Sequence, residues 1–317
     1  MKKRFFAALA AMVLTAAFAQ DFPAYLKIEG TKIIGCDKDD LPDNLVIPEG
    51  VTEIGKEAFK GCTSLASVTI PDGVTKIGES AFEDCTSLKS VTLAEGVKQI
   101  GLTMFGNCTS LESITIPGSV TEIHGWAFEG CTSLKSVTIS EGVTYIGRNA
   151  FFGCTSLASI EIPEGVTEIN ERTFFGCASL ASVTIPESVT AIGGYAFSGS
   201  GLKTVTIPKG VKAIGIYVFS GCKSLESVTL PRGVTEIGRE AFNGCTSLKS
   251  VSIPRSVTKI GSSAFSECDN LTVQYDGTKA QWEAIEKGWG RRGALSYTGI
   301  GNFAVHCSDG EFSKQDW

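Results

Sequence analysis

Histidine is nearly absent from this chain, with two in 317 residues. A catalytic site needs a nucleophile with its base or a metal constellation, and so little imidazole argues against an enzyme. Excess positive charge is missing as well. The formal net charge is −6, and without the three cationic side chains of residues 1–19 the remainder carries 25 Lys+Arg against 34 Asp+Glu. Binding a phosphate backbone needs a basic face, so nucleic acid is not an expected partner. No apolar stretch of the chain is long enough to span a membrane. Close cysteine pairs of the C-x2-C kind are lacking, so the cysteines do not spell a zinc site. No G-x-G-x-x-G opens a helix either, so no phosphate cradle is expected. The expectation is a protein without cofactor, metal or catalytic residue. Apolar residues at 43% and charged residues at 20% describe an ordered, soluble chain.

What the chain has in quantity is one sentence repeated. The stretch Gly50 to Pro71, GVTEIGKEAFKGCTSLASVTIP, returns nearly unchanged, and its cysteine falls at Cys62, Cys85, Cys108, Cys131, Cys154 and Cys177. Ser200 then stands in, and the column resumes at Cys222, Cys245 and Cys268. The period is 23 residues, with one 22-residue step where Gly199-Ser200-Gly201-Leu202 has lost a residue. A fixed period of this size marks a solenoid, in which each unit buries its apolar face against its neighbours.

The columns of the repeat predict its cross-section. Val68 and Ile70 have strand spacing, with Ser67 and Thr69 pointing outward and Pro71 ending the strand. A glycine-containing turn leads to Val51-x-x-Ile54 and its copies, and then to Ala58-Phe59, where the segment is too short for more than a helical turn. About ten such turns, stacked roughly 4.8 Å apart, make a rod about 45 Å long. The repeated cysteines are then an inward ladder of small apolar side chains, expected to be buried free thiols because parallel Cβ vectors oppose bridging. Cys36 and Cys307 lie outside that ladder and are the better candidates for bonding or reactivity.

The pattern C-x-x-L-x-x-I/V-x-I/L-P-x-x-V-x-x-I-G-x-x-A-F, as in Cys62 to Phe82, resembles the BspA-like, treponemal-type leucine-rich repeat. The resemblance covers residues 45–272. It implies a leucine-rich-repeat solenoid, β-rich with short helical turns, on an exported bacterial surface protein of a family associated with adhesion and the binding of host or partner proteins. His124 and Asn170 stand where the family has glycine, and these departures, with Ser200, are expected to leave the fold intact.

The flanks read differently. Lys2, Lys3 and Arg4, the apolar run Phe5 to Ala16 and Ala17-Phe18-Ala19 read as a secretory signal in residues 1–19. The expected location is outside the cell or on its surface, with the periplasm also open. Residues 20–44 read as an N-terminal cap with a hairpin between Phe22 and Cys36, followed by a solvated acidic turn at Asp37, Asp39 and Asp40. Residues 273–317 read as a C-terminal cap. Thr278 and Gln281 form a capping box, Trp282 and Ile285 share a face, residues 288–293 make a basic loop, residues 303–305 a last strand, and Ser308 to Trp317 a frayed tail.

Little in the chain offers chemistry. His124 reads as a substitution tolerated at the surface, and His306 and Cys307, neighbours in a strand, point to opposite faces and do not pair. Two sets of positions remain as binding candidates. The first is the hydroxyl ladder on the outer strand face: Ser67, Thr69, Ser90, Thr92, Ser113, Thr115, Ser136, Thr138, Ser182 and Thr184, whose uniformity equally suits a plain exposed strand. The second is a set of large apolar residues at variable positions of the middle coils: Leu102, Trp126, Tyr145, Phe152, Phe175, Tyr195, Ile216 and Tyr217. Clustered exposed aromatics mark protein interfaces, and rings packed only on their own turn or the next coil are the plainer alternative. The expected function is non-catalytic binding of a protein or glycoprotein, with a structural spacer as the alternative.

Overall fold

The computed structural model of the protein describes residues 22–288 and 304–312. The expected export signal, most of the basic loop, Phe303 and the last five residues lie outside them.

Each 23-residue unit forms one coil, and about eleven coils stack into a solenoid. One side of the coil is the predicted strand. Ser67–Ile70 lies parallel to Ser90–Leu93 in register, Ser67 against Ser90 and Val68 against Val91. Val68 and Ile70 are buried while Thr69 is exposed. A slip of one residue would turn valine and isoleucine to water and serine and threonine inward, so the alternation itself holds the register. The strands form three hydrogen-bonded runs, and the break between Ser182–Thr184 and Thr204–Thr206 falls at the coil with the missing residue. Gly201 takes up that loss, since a Cβ there would collide with Ala178 O. The earlier break, before Ser159–Glu161, has no such cause in the sequence.

A second side, not anticipated as strand, is a parallel ladder of two-residue strands such as Glu53–Ile54, Lys76–Ile77 and Gln99–Ile100. The N-terminal hairpin, Leu26–Glu29 with Lys32–Cys36, joins this ladder through Lys32 against Glu53 and Ile33 against Ile54. The glycine after most of these isoleucines lets neighbouring coils approach. A Cβ on Gly147 would sit 2.5 Å from Gly125 N, whereas one on Gly101 would meet nothing closer than 3.6 Å. Gly147→Ala is therefore expected to cost about 1–3 kcal/mol and Gly101→Ala much less, as measured by urea denaturation. Asn170 is accommodated in this column by turning its amide onto Ile146 O at 2.7 Å.

The third side is the turn around Ala58-Phe59. Its local bonds run from residue i to i−3, as from Lys60 N to Glu57 O, but two left-handed residues bracket the turn, Glu57 at φ 57° and Gly61 at φ 68°. Every second N–H of the turn points along the stack: Glu57, Phe59 and Gly61 donate to Glu79, Ala81 and Glu83 of the next coil. All three sides thus satisfy backbone polar groups between coils, which a continuous right-handed turn would direct to its own carbonyls.

Inside, the phenylalanines from Phe59 to Phe265 form one column with successive ring centroids 5.2–5.7 Å apart and planes within 15° of parallel. The repeated cysteines are free and buried, as expected. From Cys85 onward each thiol donates to the carbonyl of the phenylalanine one coil back, at 3.1–3.2 Å. A small side chain with one weak donor fits this column because that carbonyl has a lone pair to fill. Cys36 lies outside the ladder, as expected, and stands where later coils have the phenylalanine carbonyl, with Sγ 3.3 Å from Cys62 Sγ.

At the C-terminal end Ala304–Cys307 extends the long-strand sheet, and the tail expected to fray folds back as Gly310–Phe312, antiparallel to it. Phe312 is buried and Lys279 Nζ lies 4.6 Å from its ring centre, which is why this part of the tail stays down. The expected capping box is present: Gln281 N donates to Thr278 Oγ1 and Thr278 N to Gln281 Oε1. Trp282 is fully buried and Ile285 nearly so.

Candidate functional site

The turn side carries most of the variable large residues, because its backbone points them there. The residue ahead of the Ala-Phe pair is left-handed in all ten coils from Glu57 to Ser263, with φ between 52° and 59°. L-residues incur about 1–2 kcal/mol in this region, yet no coil uses glycine here. The conformation is held from the next coil: Trp126 N donates to Arg148 O at 3.1 Å, Tyr195 N to Ile216 O at 3.0 Å and Tyr217 N to Arg239 O at 2.9 Å. The column therefore places Trp126, Arg172, Tyr195 and Tyr217 at one station of their coils.

Their side chains meet across coils. Tyr195 and Tyr217 stack with centroids 4.5 Å apart, Phe152 and Phe175 at 4.9 Å, and Phe175 approaches Tyr195 at 6.4 Å, so four rings make one stripe. Arginines cover the rings. Arg148 lies 4.6 Å from the centre of Trp126, Arg172 4.8 Å from Tyr195, and Arg239 5.0 Å from Tyr217. Contacts of this kind contribute about 0.5–1 kcal/mol each at exposed sites. Tyr217 also donates its hydroxyl to Glu240 Oε1 at 2.7 Å, and that bond, aided by burial, raises its pKa.

The rings are half-buried because they pack on one another, so the plainer alternative holds for part of their surface. The aliphatic members are more open. Leu102 is 37% exposed and Ile216 48%. Each sits against a glycine of a neighbouring coil, Leu102 beside Gly125 and Ile216 beside Gly194. Tyr145 does not join them. It belongs to the short-strand side, 43% exposed, with its ring edge-on to His124 at 6.2 Å.

In the N-terminal coils the same columns are bridged by charge instead. Lys56 pairs with Glu79 at 3.1 Å and Lys60 with Glu83 at 2.7 Å. Exposed pairs like these contribute little to stability, so the change from charge to rings alters what the surface offers more than how the rod holds together.

The hydroxyl ladder lies where expected, on the outer side of the long strands and away from the aromatic stripe. Nine of its ten members are exposed. Ser67, half-buried, donates to Asn44 Oδ1 at 2.7 Å. Arg148, Arg172 and Arg239 are not among the residues expected from the sequence, since charge at an exposed position is ordinarily solvated. Their signal was legible in the repeat, since each arginine stands one coil from its ring.

The acidic turn holds Asp39 N to Asp37 Oδ1 at 3.2 Å, a local turn bond. His306 faces Glu311, with Nδ1 3.4 Å from Oε2, while burial raises the Cys307 thiol above its usual value. Among the described residues no group of three metal-ligating side chains occurs. Among them, too, no helix is long and apolar enough to cross a membrane.

Solved structures of similar proteins share this architecture. A leucine-rich repeat protein from Bacteroides ovatus is 26% identical, with 91% of this chain and 99% of that one covered at a TM-score of 0.50. The pneumococcal vaccine antigen PcpA is 20% identical over 88% of this chain and 78% of its own, with a TM-score of 0.58. A leucine-rich cell surface protein from Faecalibacterium prausnitzii is 30% identical over 86% of this chain and 100% of its own, with a TM-score of 0.44. No curated protein matches the chain. The family model of the BspA type leucine rich repeat region matches in six copies over residues 39–158 and 144–272. The family suggests a protein-binding or adhesion-type role and a surface or exported protein, of a kind generally without catalysis. With most of the chain matched and the coil seen in atomic detail, the protein belongs to the BspA-type leucine-rich-repeat family.

Proposed function

We propose that the protein is an exported, non-catalytic binding protein whose middle coils present the arginine-covered aromatic stripe to a protein or glycoprotein partner at the cell surface. The observation that carries this is the placing of Trp126, Tyr195 and Tyr217 in one left-handed column, with Arg148, Arg172 and Arg239 of neighbouring coils stacked on them. Trp, Tyr and Arg are the residue types that dominate interface energetics. Here their rings and guanidinium groups are held in place by the solenoid before any partner arrives, so little side-chain freedom is lost on binding. Leu102 and Ile216 add open apolar area beside them.

The test compares binding of the exported form to bacterial and host surface preparations. Trp126→Ala with Tyr195→Ala and Tyr217→Ala is expected to weaken binding at least about 30-fold. A control with Thr115→Lys and Thr138→Lys on the hydroxyl ladder is expected to bind as before, and circular dichroism melts show whether each variant is folded. Equal binding by the folded aromatic variant would sink the proposal and leave the spacer reading, which the uniform hydroxyl ladder favours.

A further inference from the structure

The first rung of the cysteine ladder differs from the others. From Cys85 to Cys268 each thiol has a phenylalanine carbonyl one coil back to donate to. The coil before Cys62 is the N-terminal hairpin, which supplies no such phenylalanine, and Cys36 Sγ stands 3.3 Å from Cys62 Sγ instead. Cys36 and Cys62 are buried, but this end of the ladder lies next to the surface. Cys36 lines a surface hollow with Gly35, Lys38, Glu57, Lys60 and Gly61, and Lys38 Nζ donates to Lys60 O across it.

We infer that Cys36 and Cys62 form a reactive dithiol that a disulfide oxidant of the glutathione class converts into an intramolecular disulfide, stapling the N-terminal hairpin to the first coil. The electrostatics agree with this placement. The hydrogen bond from Cys62 lowers the pKa of Cys36, against burial and with help from Lys38 and Lys27, and the same bond raises that of Cys62. The thiolate is the attacking species, so Cys36 reacts first. Its sulfur attacks one sulfur of the oxidant, the oxidant's S–S bond breaks, and one thiolate leaves. Cys62 then gives up its proton to that leaving thiolate, and its sulfur attacks Cys36 in the mixed disulfide and expels the second thiolate. Two protein thiols are oxidised and one small disulfide is reduced to two thiols. The sulfurs must close from 3.3 Å to a bond of about 2.05 Å. Deeper rungs do not compete, because burial raises thiols such as Cys85 and Cys131 to about 12.

The experiment treats reduced, folded protein with oxidised glutathione at neutral pH, blocks remaining thiols after denaturation, and maps tryptic peptides by mass spectrometry. The expected product joins peptide 33–38 to peptide 61–76 and weighs about 2 Da less than the two reduced peptides combined. Cys62→Ser is expected to stop at a glutathione adduct on Cys36, whereas Cys36→Ser leaves Cys62 unmodified. If Cys36 and Cys62 are both recovered as free thiols, or if Cys307 or a deeper rung is oxidised ahead of them, the inference is wrong. An adduct on Cys62 in the Cys36→Ser variant would reverse the assigned order and equally overturn it.

Discussion

Raising the pH from 8.5 to about 11 is expected to unfold the protein cooperatively, with reductant present throughout. Eight ladder thiols, from Cys85 to Cys268, are pushed above the usual value of 9.0 with burial as the leading cause. They reach about 12 for Cys85, Cys131, Cys177 and Cys268 and about 11 for Cys222. The sign follows from the two states. Below pH 9 a thiol is protonated whether the chain is folded or not, and its contribution is complete. Above pH 9 the unfolded chain releases protons that the folded chain retains, so stability falls until the folded thiols themselves titrate.

Each thiol adds a slope of about 1.4 kcal/mol per pH unit, so eight together give on the order of 10 kcal/mol per pH unit. That is comparable with the whole stability of an ordinary domain. Urea denaturation at half-unit pH intervals measures the slope as protons released on unfolding. Cys131→Ala should remove about one proton from it, whatever the variant does to stability at pH 7. A flat stability curve between pH 8.5 and 10.5, or a slope unchanged by that substitution, would refute the burial argument.

The second large effect separates two adjacent residues. Phe151 is fully buried in the central column, stacked on Phe128 at 5.3 Å and Phe174 at 5.5 Å. Phe151→Ala is expected to cost about 3–5 kcal/mol. Phe152 is half-buried on the turn side and stacks on Phe175 alone among the rings described, so Phe152→Ala is expected to cost about 1 kcal/mol. A solenoid is stabilised by nearest-neighbour contacts. The Phe151 variant should therefore also broaden the urea transition, as coils on either side of the defect begin to unfold separately. Equal shifts for the two variants would contradict the assignment of inner and outer columns.

Much of this fold was legible because the repeat is a controlled comparison within one chain. Positions that stay apolar from coil to coil, such as those of Leu65, Val68, Ile70 and Phe59, are mainly the buried ones, and the cysteine column is buried with them. The short-strand side escaped notice because two residues per strand show no alternation. Glu53 and Ile54 become strand only when Lys76 and Ile77 stack beside them. The hand of the turn was hidden for a related reason. Left-handed backbone normally announces itself as glycine or asparagine, and here Trp126, Arg172, Tyr195 and Tyr217 adopt it under restraint from the next coil.

The candidate surface was legible in part. Its members stood out as departures from the consensus, but composition gave no means of separating Tyr145, which lies on another side, from Phe152, Phe175, Tyr195 and Tyr217, which share a stripe. The pairing of each ring with an arginine was present in the spacing and went unread, since charge at an exposed position is usually solvated.

By itself the sequence determined that the chain is a stacked array, which columns face inward and where the array departs from its own rule. Those follow from periodicity, because a residue repeated every coil meets its own copy above and below. Only the tertiary structure decided what the ends and the exceptions do. Cys36 becomes a partner of Cys62, and the last hairpin folds onto the final strand, because the end coils lack the neighbour that satisfies every other one. Tyr195 and Tyr217 meet the rings of Phe152 and Phe175 in one stripe because hydrogen bonds from the next coil, and no local preference of tyrosine, hold their backbone in the left-handed region.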